Sequence, residues 1–393
     1  MNLSQTLHNS DYSFFFLIVE NYLDINLHPY LNNFYPVYAY KNDSQKLLQS
    51  QKIPYFCLEE QGVSLQQKNS GRLLSESKTI EYINQICQQT NTKAAIVPFK
   101  PSARIEKLCQ QHSWKLIANP AKINRFFEDK IQFQKICDES QLPTIPSQII
   151  TLNSDNFNKT QSELGKNLVL QTHFGWAGNS TFLVSSYSEA LSHAPQNSPV
   201  KLSTYLQGYS LLNNCCLTPK GLIQSPPALQ YTGLTPFTSN PFATVGRQWP
   251  SLAPDYVISQ VNSLTQKFSQ ILSKNNYLGF FGLDFFVSQD QVFILECNPR
   301  LTASFALYTH MEISQNLDPL FYFHLLAFTN PQLEIDVPTQ QKKFENKQLV
   351  GSEIIYKNNT THTFQKISQN IAFSDSLNPI KIKPHILSLF KSS

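Results

Sequence analysis

Two textures divide this sequence, and together they predict an α/β region followed by a mixed α+β region. Residues 12–125 alternate short apolar runs with segments of helical spacing, as in a parallel sheet crossed by helices. From about residue 148, apolar runs come in pairs joined by polar or glycine-bearing turns, the pattern of antiparallel hairpins. A third observation is chemical: one of the later hairpins carries acidic residues on strands that are otherwise apolar.

Taken in order, Phe14–Val19 is a candidate first strand, and Val37–Tyr40 and Tyr55–Cys57 read as further strands. Ser77–Gln89 has helical spacing through Ile80, Ile83 and Ile86. Ala94–Pro98 reads as strand, Arg104–His112 as helix and Lys115–Ile117 as strand. Phe126–Glu139 reads as one helix, broken afterwards by Pro143 and Pro146. Leu168–Gln171 and Thr181–Ser185 flank a glycine-bearing turn, and Val200–Leu206 is another strand. Tyr256–Lys274 is amphipathic, with Val257, Val261, Leu264 and Phe268 on one face. Gly279–Val287 and Val292–Glu296 read as strands and Pro319–Phe328 as helix. After residue 331 the chain turns polar, with short strand candidates at Leu349–Tyr356 and Ile380–Lys383.

The 393 residues are 41% hydrophobic and 15% charged, which suits two or three packed domains and not a disordered chain. The net charge of +4 is spread without a dense basic block, so a nucleic-acid surface is not expected. No apolar run approaches the length of a membrane span. The seven cysteines show no metal-binding spacing and read as reduced, buried thiols of a cytoplasmic protein.

The most informative segment is GFFGLDFFVSQDQVFILECNPRLTAS, residues 279–304. A three-residue loop, Gln289 to Gln291, places Asp284 across from Glu296. Residues two apart in a strand share a face, so Asn298 joins Glu296. Two facing carboxylates repel, and burial makes this worse by several kcal/mol unless something compensates. Two carboxylates and an amide oxygen form a hard donor set, suited to Mg²⁺ and not to Zn²⁺. Arg300 follows closely and suits a phosphate or an anionic intermediate. The same spacing also fits an exposed hairpin whose acids face solvent.

GLDFFV and VFILECNPRLTAS together resemble the C-terminal signature of the ATP-grasp superfamily. The resemblance implies two α+β lobes that sandwich ATP, preceded by a Rossmann-like α/β domain. It makes Asp284, Glu296 and Asn298 the ligands of Mg²⁺ or Mn²⁺, and Arg300 the residue that contacts phosphate or acyl-phosphate. Residues 168–184, LVLQTHFGWAGNSTFLV, then resemble the family's phosphate-covering loop, with Gly175, Gly178, Asn179 and Ser180 against ATP. Lys130 resembles a family lysine near the nucleotide, and Thr204, Tyr205 and Leu206 the hinge whose backbone reads adenine. Gln230 resembles a polar residue near the nucleotide. Two departures stand out: Gln171 occupies the usual place of a second lysine, and the hinge lacks the glutamate that binds ribose. His173, Trp176 and His310 are further candidates, each of which also suits an ordinary packed or surface role.

The implied organisation is an N-terminal domain (1–125), an ATP-grasp N-lobe (126–212), a C-lobe (213–330) and a C-terminal extension (331–393). The implied reaction is ATP-dependent activation of a small-molecule carboxylate, an amino acid or peptide among them, for attack by an amine. No nucleic-acid or membrane partner is implied; a homodimer is compatible with the resemblance, dimers being common in similar enzymes, and the sequence does not fix the oligomeric state. Two alternatives stay open: a carboxylase-type member of the superfamily, and a non-catalytic nucleotide-binding regulator.

Overall fold

The computed structural model describes residues 2–20, 23–175, 178, 180–235, 237–347 and 349–355. Its first sheet is formed by β1 (Tyr12–Ile18), β2 (Phe34–Tyr38), β3 (Phe56–Cys57), β4 (Lys93–Pro98) and β5 (Lys115–Leu116). All are parallel, in the order β3-β2-β1-β4-β5. Strand β1 is apolar from Phe14 to Ile18 because both of its faces are covered. Phe14 and Phe16 pack with Phe34, Phe305 and Phe321, while Phe15 and Leu17 pack with Leu73, Ile83 and Ile96.

Residues 126–139, read as one helix, are parts of two: Ala121–Glu128 and Lys130–Glu139. Asp129 separates them. Its backbone is extended, and its carboxylate accepts hydrogen bonds from the N–H groups of Ile131 and Gln132. An N-cap restarts the helix at this point.

A small antiparallel sheet follows, with β6 (Ser147–Thr151), β7 (Leu168–Gln171), β8 (Thr181–Val184) and β9 (Pro199–Thr204) in the order β6-β9-β7-β8. Leu168, Leu170, Val184, Val200 and Leu202 form a core on one face with Phe157 and Ala190 of the covering helices. The opposite face carries the alternate residues, among them Gln171 and Lys201.

The large antiparallel sheet contains β10 (Tyr209–Thr218), β11 (Gly221–Gln224), β12 (Ala228–Thr232), β13 (Thr244–Trp249), β14 (Gly279–Ser288), β15 (Gln291–Asn298) and β16 (Gly351–Ile354). Its main path is β15-β14-β10-β12-β13-β16, and β11 pairs with β10. Helix Asp255–Lys274 lays Val257, Val261, Leu264 and Phe268 on this sheet. Strand β16 lies within the expected Leu349–Tyr356 run, so the chain beyond residue 331 contributes an edge strand. The Ile380–Lys383 candidate lies outside the described residues.

The acidic hairpin reaches its register by a different route from the one the spacing suggests. Its turn has two residues, Gln289 and Asp290, both at positive φ (46° and 65°). That is the geometry of a type I′ turn, which matches strand twist. It pairs Ser288 with Gln291 and Phe285 with Ile294. Continued unbroken, this ladder would set Asp284 against Leu295. A register shift between Asp284 and Phe285 skips Leu295 and sets Asp284 against Glu296. The bulge re-aims the two acids onto one face.

Candidate active site

Asp284 Oδ2 accepts a 3.0 Å hydrogen bond from Asn298 Nδ2, and Asp284 Oδ1 accepts one of 2.8 Å from Gln230 Nε2. Burial, and then the facing Glu296, push the Asp284 carboxyl up to about 7. Glu296 is moved the other way: burial opposes its charge, but the ammonium of Lys130, hydrogen-bonded to Glu296 Oε2, outweighs it and holds the carboxyl below the ordinary range. Asp284 thus lacks a full counter-charge while its oxygens sit beside Glu296 and Asn298. This donor chemistry fits a hard divalent cation, which would relieve that deficit.

Lys130 is buried at the first position of its helix. Its backbone N–H donates to the carbonyl of His173 at 2.9 Å, and His173 Nδ1 lies 2.7 Å from Asp129 Oδ2. The guanidinium of Arg125 lies 4.4 Å from the ring centroid of Phe174. The start of the glycine turn is therefore fastened to the same helix end that presents Lys130. Asp129 has two tasks, capping the helix with one oxygen and holding His173 with the other.

Within the turn, two glycines are required. A Cβ on Gly175 would stand 2.1 Å from Ser180 Oγ. Gly178 has φ of +82°, and a Cβ there would meet the Phe242 backbone at 2.8 Å. The Gly178 carbonyl accepts from Thr181 N–H (3.2 Å) and Asn240 Nδ2 (3.1 Å), which pins the turn against the 238–243 loop. Ser180 is buried beneath the turn, and its hydroxyl has no partner among the described residues. Asn179 and Trp176 lie outside the described residues. Gln171 donates to Thr181 Oγ1 at 3.2 Å.

The hinge peptides are not equivalent. Thr204 N–H donates to the Pro146 carbonyl (2.9 Å), and Tyr205 N–H to that of Asn167 (3.3 Å). The Tyr205 carbonyl and the Leu206 N–H have no hydrogen-bond partner among the described residues. Both belong to one peptide unit, the hinge peptide whose backbone groups stay open.

Arg300 is held by Asn298 Oδ1 at 2.9 Å, Glu128 Oε1 at 3.4 Å and the Leu301 carbonyl at 3.0 Å. Its guanidinium lies 4.9 Å from the Phe99 ring centroid. It therefore braces Asn298 and joins the acidic hairpin to the end of β4. His310 is exposed on helix Phe305–Ser314.

Two cations escaped the sequence reading. Arg247 lies opposite Gln230 in the β12–β13 ladder, donating to Gln230 Oε1 (3.3 Å) and to Glu353 Oε1 of β16 (2.6 Å). Lys201 lies opposite Gln171 and is buried. Both positions are set by register between distant strands, which leaves no local mark in the sequence. Asp129 did leave one, an acid just before a helical run.

No family profile matches the sequence. No curated protein matches it. Solved structures do match its fold. Biotin carboxylase from Campylobacter jejuni, as a β-γ-ATP complex, aligns with a TM-score of 0.62 at 14% identity, over 88% of this chain and 75% of that one. N5-carboxyaminoimidazole synthetase from Staphylococcus aureus, complexed with ADP, aligns with a TM-score of 0.57 at 13% identity, over 88% and 93%. Pyruvate carboxylase T882A from Rhizobium etli aligns with a TM-score of 0.61 at 14% identity, over 88% and 32%. The chain has the ATP-grasp fold, as its acidic hairpin led us to expect. Among the described residues, no helix is long and apolar enough to cross a membrane.

Proposed function

We propose that this chain is an ATP- and magnesium-dependent ligase that activates a carboxylate for attack by an amine. The observation that carries the reading is the meeting of Asp284, Glu296 and Asn298 with Lys130 beneath a glycine turn, in an ATP-grasp fold. Adenine, when bound, would be held by the hinge backbone at Thr204, Tyr205 and Leu206. The turn at Gly175 and Gly178 covers the phosphates with backbone N–H groups. Lys130, now bonded to Glu296, would hold phosphate, and Glu296 would hold the metal. Mg²⁺ or Mn²⁺, when bound, supplies charge neutralisation between the two carboxylates and the phosphate chain. Asp284, Glu296 and Asn298 hold it, and Gln230, backed by Arg247, fixes the orientation of Asp284. Arg300 fixes Asn298 and offsets negative charge that develops on the activated carboxylate.

A carboxylase-type reaction is the second reading, favoured by the likeness in fold to biotin carboxylase and N5-carboxyaminoimidazole synthetase. Bicarbonate then takes the place of the organic acid at the same site. ADP release by the full chain, measured with Mg-ATP against a panel of acids and amines and against bicarbonate, decides between them. Release that requires an acid and an amine together supports the ligase. Release that requires bicarbonate supports the carboxylase. Tight Mg-ATP binding without any release contradicts both, leaving a nucleotide-binding regulator.

A further inference from the structure

Lys201 lies in β9 between Val200 and Leu202, which point into the apolar core of the small sheet. Side chains alternate along a strand, so Lys201 emerges on the other face, paired directly with Gln171 of β7. It is only 4% exposed. The charged groups around it are Lys130, Glu296 and Asp138, with the Cys137 thiol beside them. Among the described residues its ammonium has neither an ion pair nor a hydrogen bond, because Glu296 is taken by Lys130.

A buried ammonium without a partner costs several kcal/mol, and a second cation nearby adds to that. Burial, the largest influence, together with Lys130 brings the Lys201 pKa down to about 8, although the Cys137 thiol opposes this. A methionine would fill the same space without the cost. A charge kept here is useful only when an anion arrives. Lys130 and Lys201 then form a two-cation wall facing the carboxylates of the hairpin.

We propose that Lys201 binds the phosphate chain of the nucleotide, supplying from β9 the positive charge that Gln171 on the paired position of β7 does not carry. The inference rests on the nucleotide reading above and assigns that site a residue from a neighbouring strand. A lysine is suited to the task as a compact point charge on a flexible stem.

Calorimetry on the full chain tests it, with Mg-ATP, adenosine and inorganic tripolyphosphate as probes. Lys201→Met should weaken Mg-ATP binding about 10- to 100-fold and leave adenosine binding unchanged. Lys201→Arg should lose less. The double variant Gln171→Lys/Lys201→Met, which moves the ammonium across the ladder, should recover most of the affinity. Unchanged Mg-ATP affinity in Lys201→Met, or an equal loss for adenosine, overturns the proposal and leaves the ligase reading intact. An unfolded Lys201→Met also overturns it, since a lysine with no partner in the free protein contributes nothing to the fold that methionine lacks. If the wild type binds no Mg-ATP, the nucleotide reading falls. Lys201 is then judged on tripolyphosphate alone: binding lost in Lys201→Met supports it, and no binding by the wild type overturns it.

Discussion

The two walls of the cleft are incomplete in opposite senses. The wall on the large sheet holds two carboxylates, and burial together with the facing Glu296 pushes Asp284 up to about 7. The wall beside the small sheet holds two lysines, and burial together with the charge of Lys130 brings Lys201 down to about 8. The construction differs as well. The acidic wall is fixed by backbone register within one hairpin and its bulge. The basic wall is assembled from a helix start, a strand and a turn fastened by His173 and Arg125. A magnesium nucleotide carries both missing charges, the cation for one wall and the phosphates for the other. Taken together, the walls describe a ligand that neither specifies alone.

Removing a charge from the acidic wall should have the largest effect. Glu296→Gln should lower ADP release by about 1,000-fold, with the circular dichroism of the wild type retained. Activity within about threefold of the wild type would break the assignment of that wall. Asp284→Asn should be milder, about 10- to 100-fold, because its one remaining oxygen still accepts from Gln230 or Asn298. Raising magnesium should restore part of the rate, and a loss insensitive to magnesium would place Asp284 outside the metal site.

The basic wall should yield smaller effects. Gly178→Ala adds a Cβ at positive φ against the Phe242 backbone. It should weaken Mg-ATP about 10-fold and cost on the order of 1–2 kcal/mol of stability, read from calorimetry and urea midpoints. Normal affinity in that variant would show that the turn does not approach the phosphates. His173→Ala should weaken Mg-ATP only about 2- to 5-fold and speed proteolytic cleavage between residues 172 and 181. Unchanged cleavage would mean that Asp129 does not hold the turn through His173.

Stability against pH separates the walls in another way. The folded pKa of Lys201 lies below its unfolded value of 10.5. Below about 8 both states keep the proton, and the folded protein bears the full cost of a buried charge. Between about 8 and 10.5 the unfolded chain binds more protons, so stability rises with pH. Wild type should therefore gain on Lys201→Met by on the order of 3 kcal/mol between pH 7 and pH 10.5, measured as paired urea midpoints. Parallel curves would contradict the buried, unpartnered state of Lys201.

What the sequence discloses follows the distance between partners along the chain. Asp284, Glu296, Asn298 and Arg300 lie within one hairpin and its exit, so their meeting was legible, although it takes the bulge past Leu295 as well as strand alternation. The turn that does so was misread, since positive φ at Gln289 and Asp290 and the bulge past Leu295 have no strong residue signature. The parallel sheet was legible from its both-sides-buried strands. The break at Asp129 was missed because apolar spacing continues across it, though an acid ahead of Lys130 marks a cap. Lys201 and Arg247 were not legible. Each faces its partner across a ladder whose register is set by the whole sheet, and nothing on its own strand names that partner.

The central claim is that one magnesium nucleotide joins the two walls. Calorimetric titration of the full chain with ATP, with and without Mg²⁺ and beside Glu296→Gln, tests this most directly. The account predicts binding that strengthens with magnesium in the wild type and loses that dependence in Glu296→Gln. Equal binding with and without magnesium, or an unaffected Glu296→Gln, would contradict it.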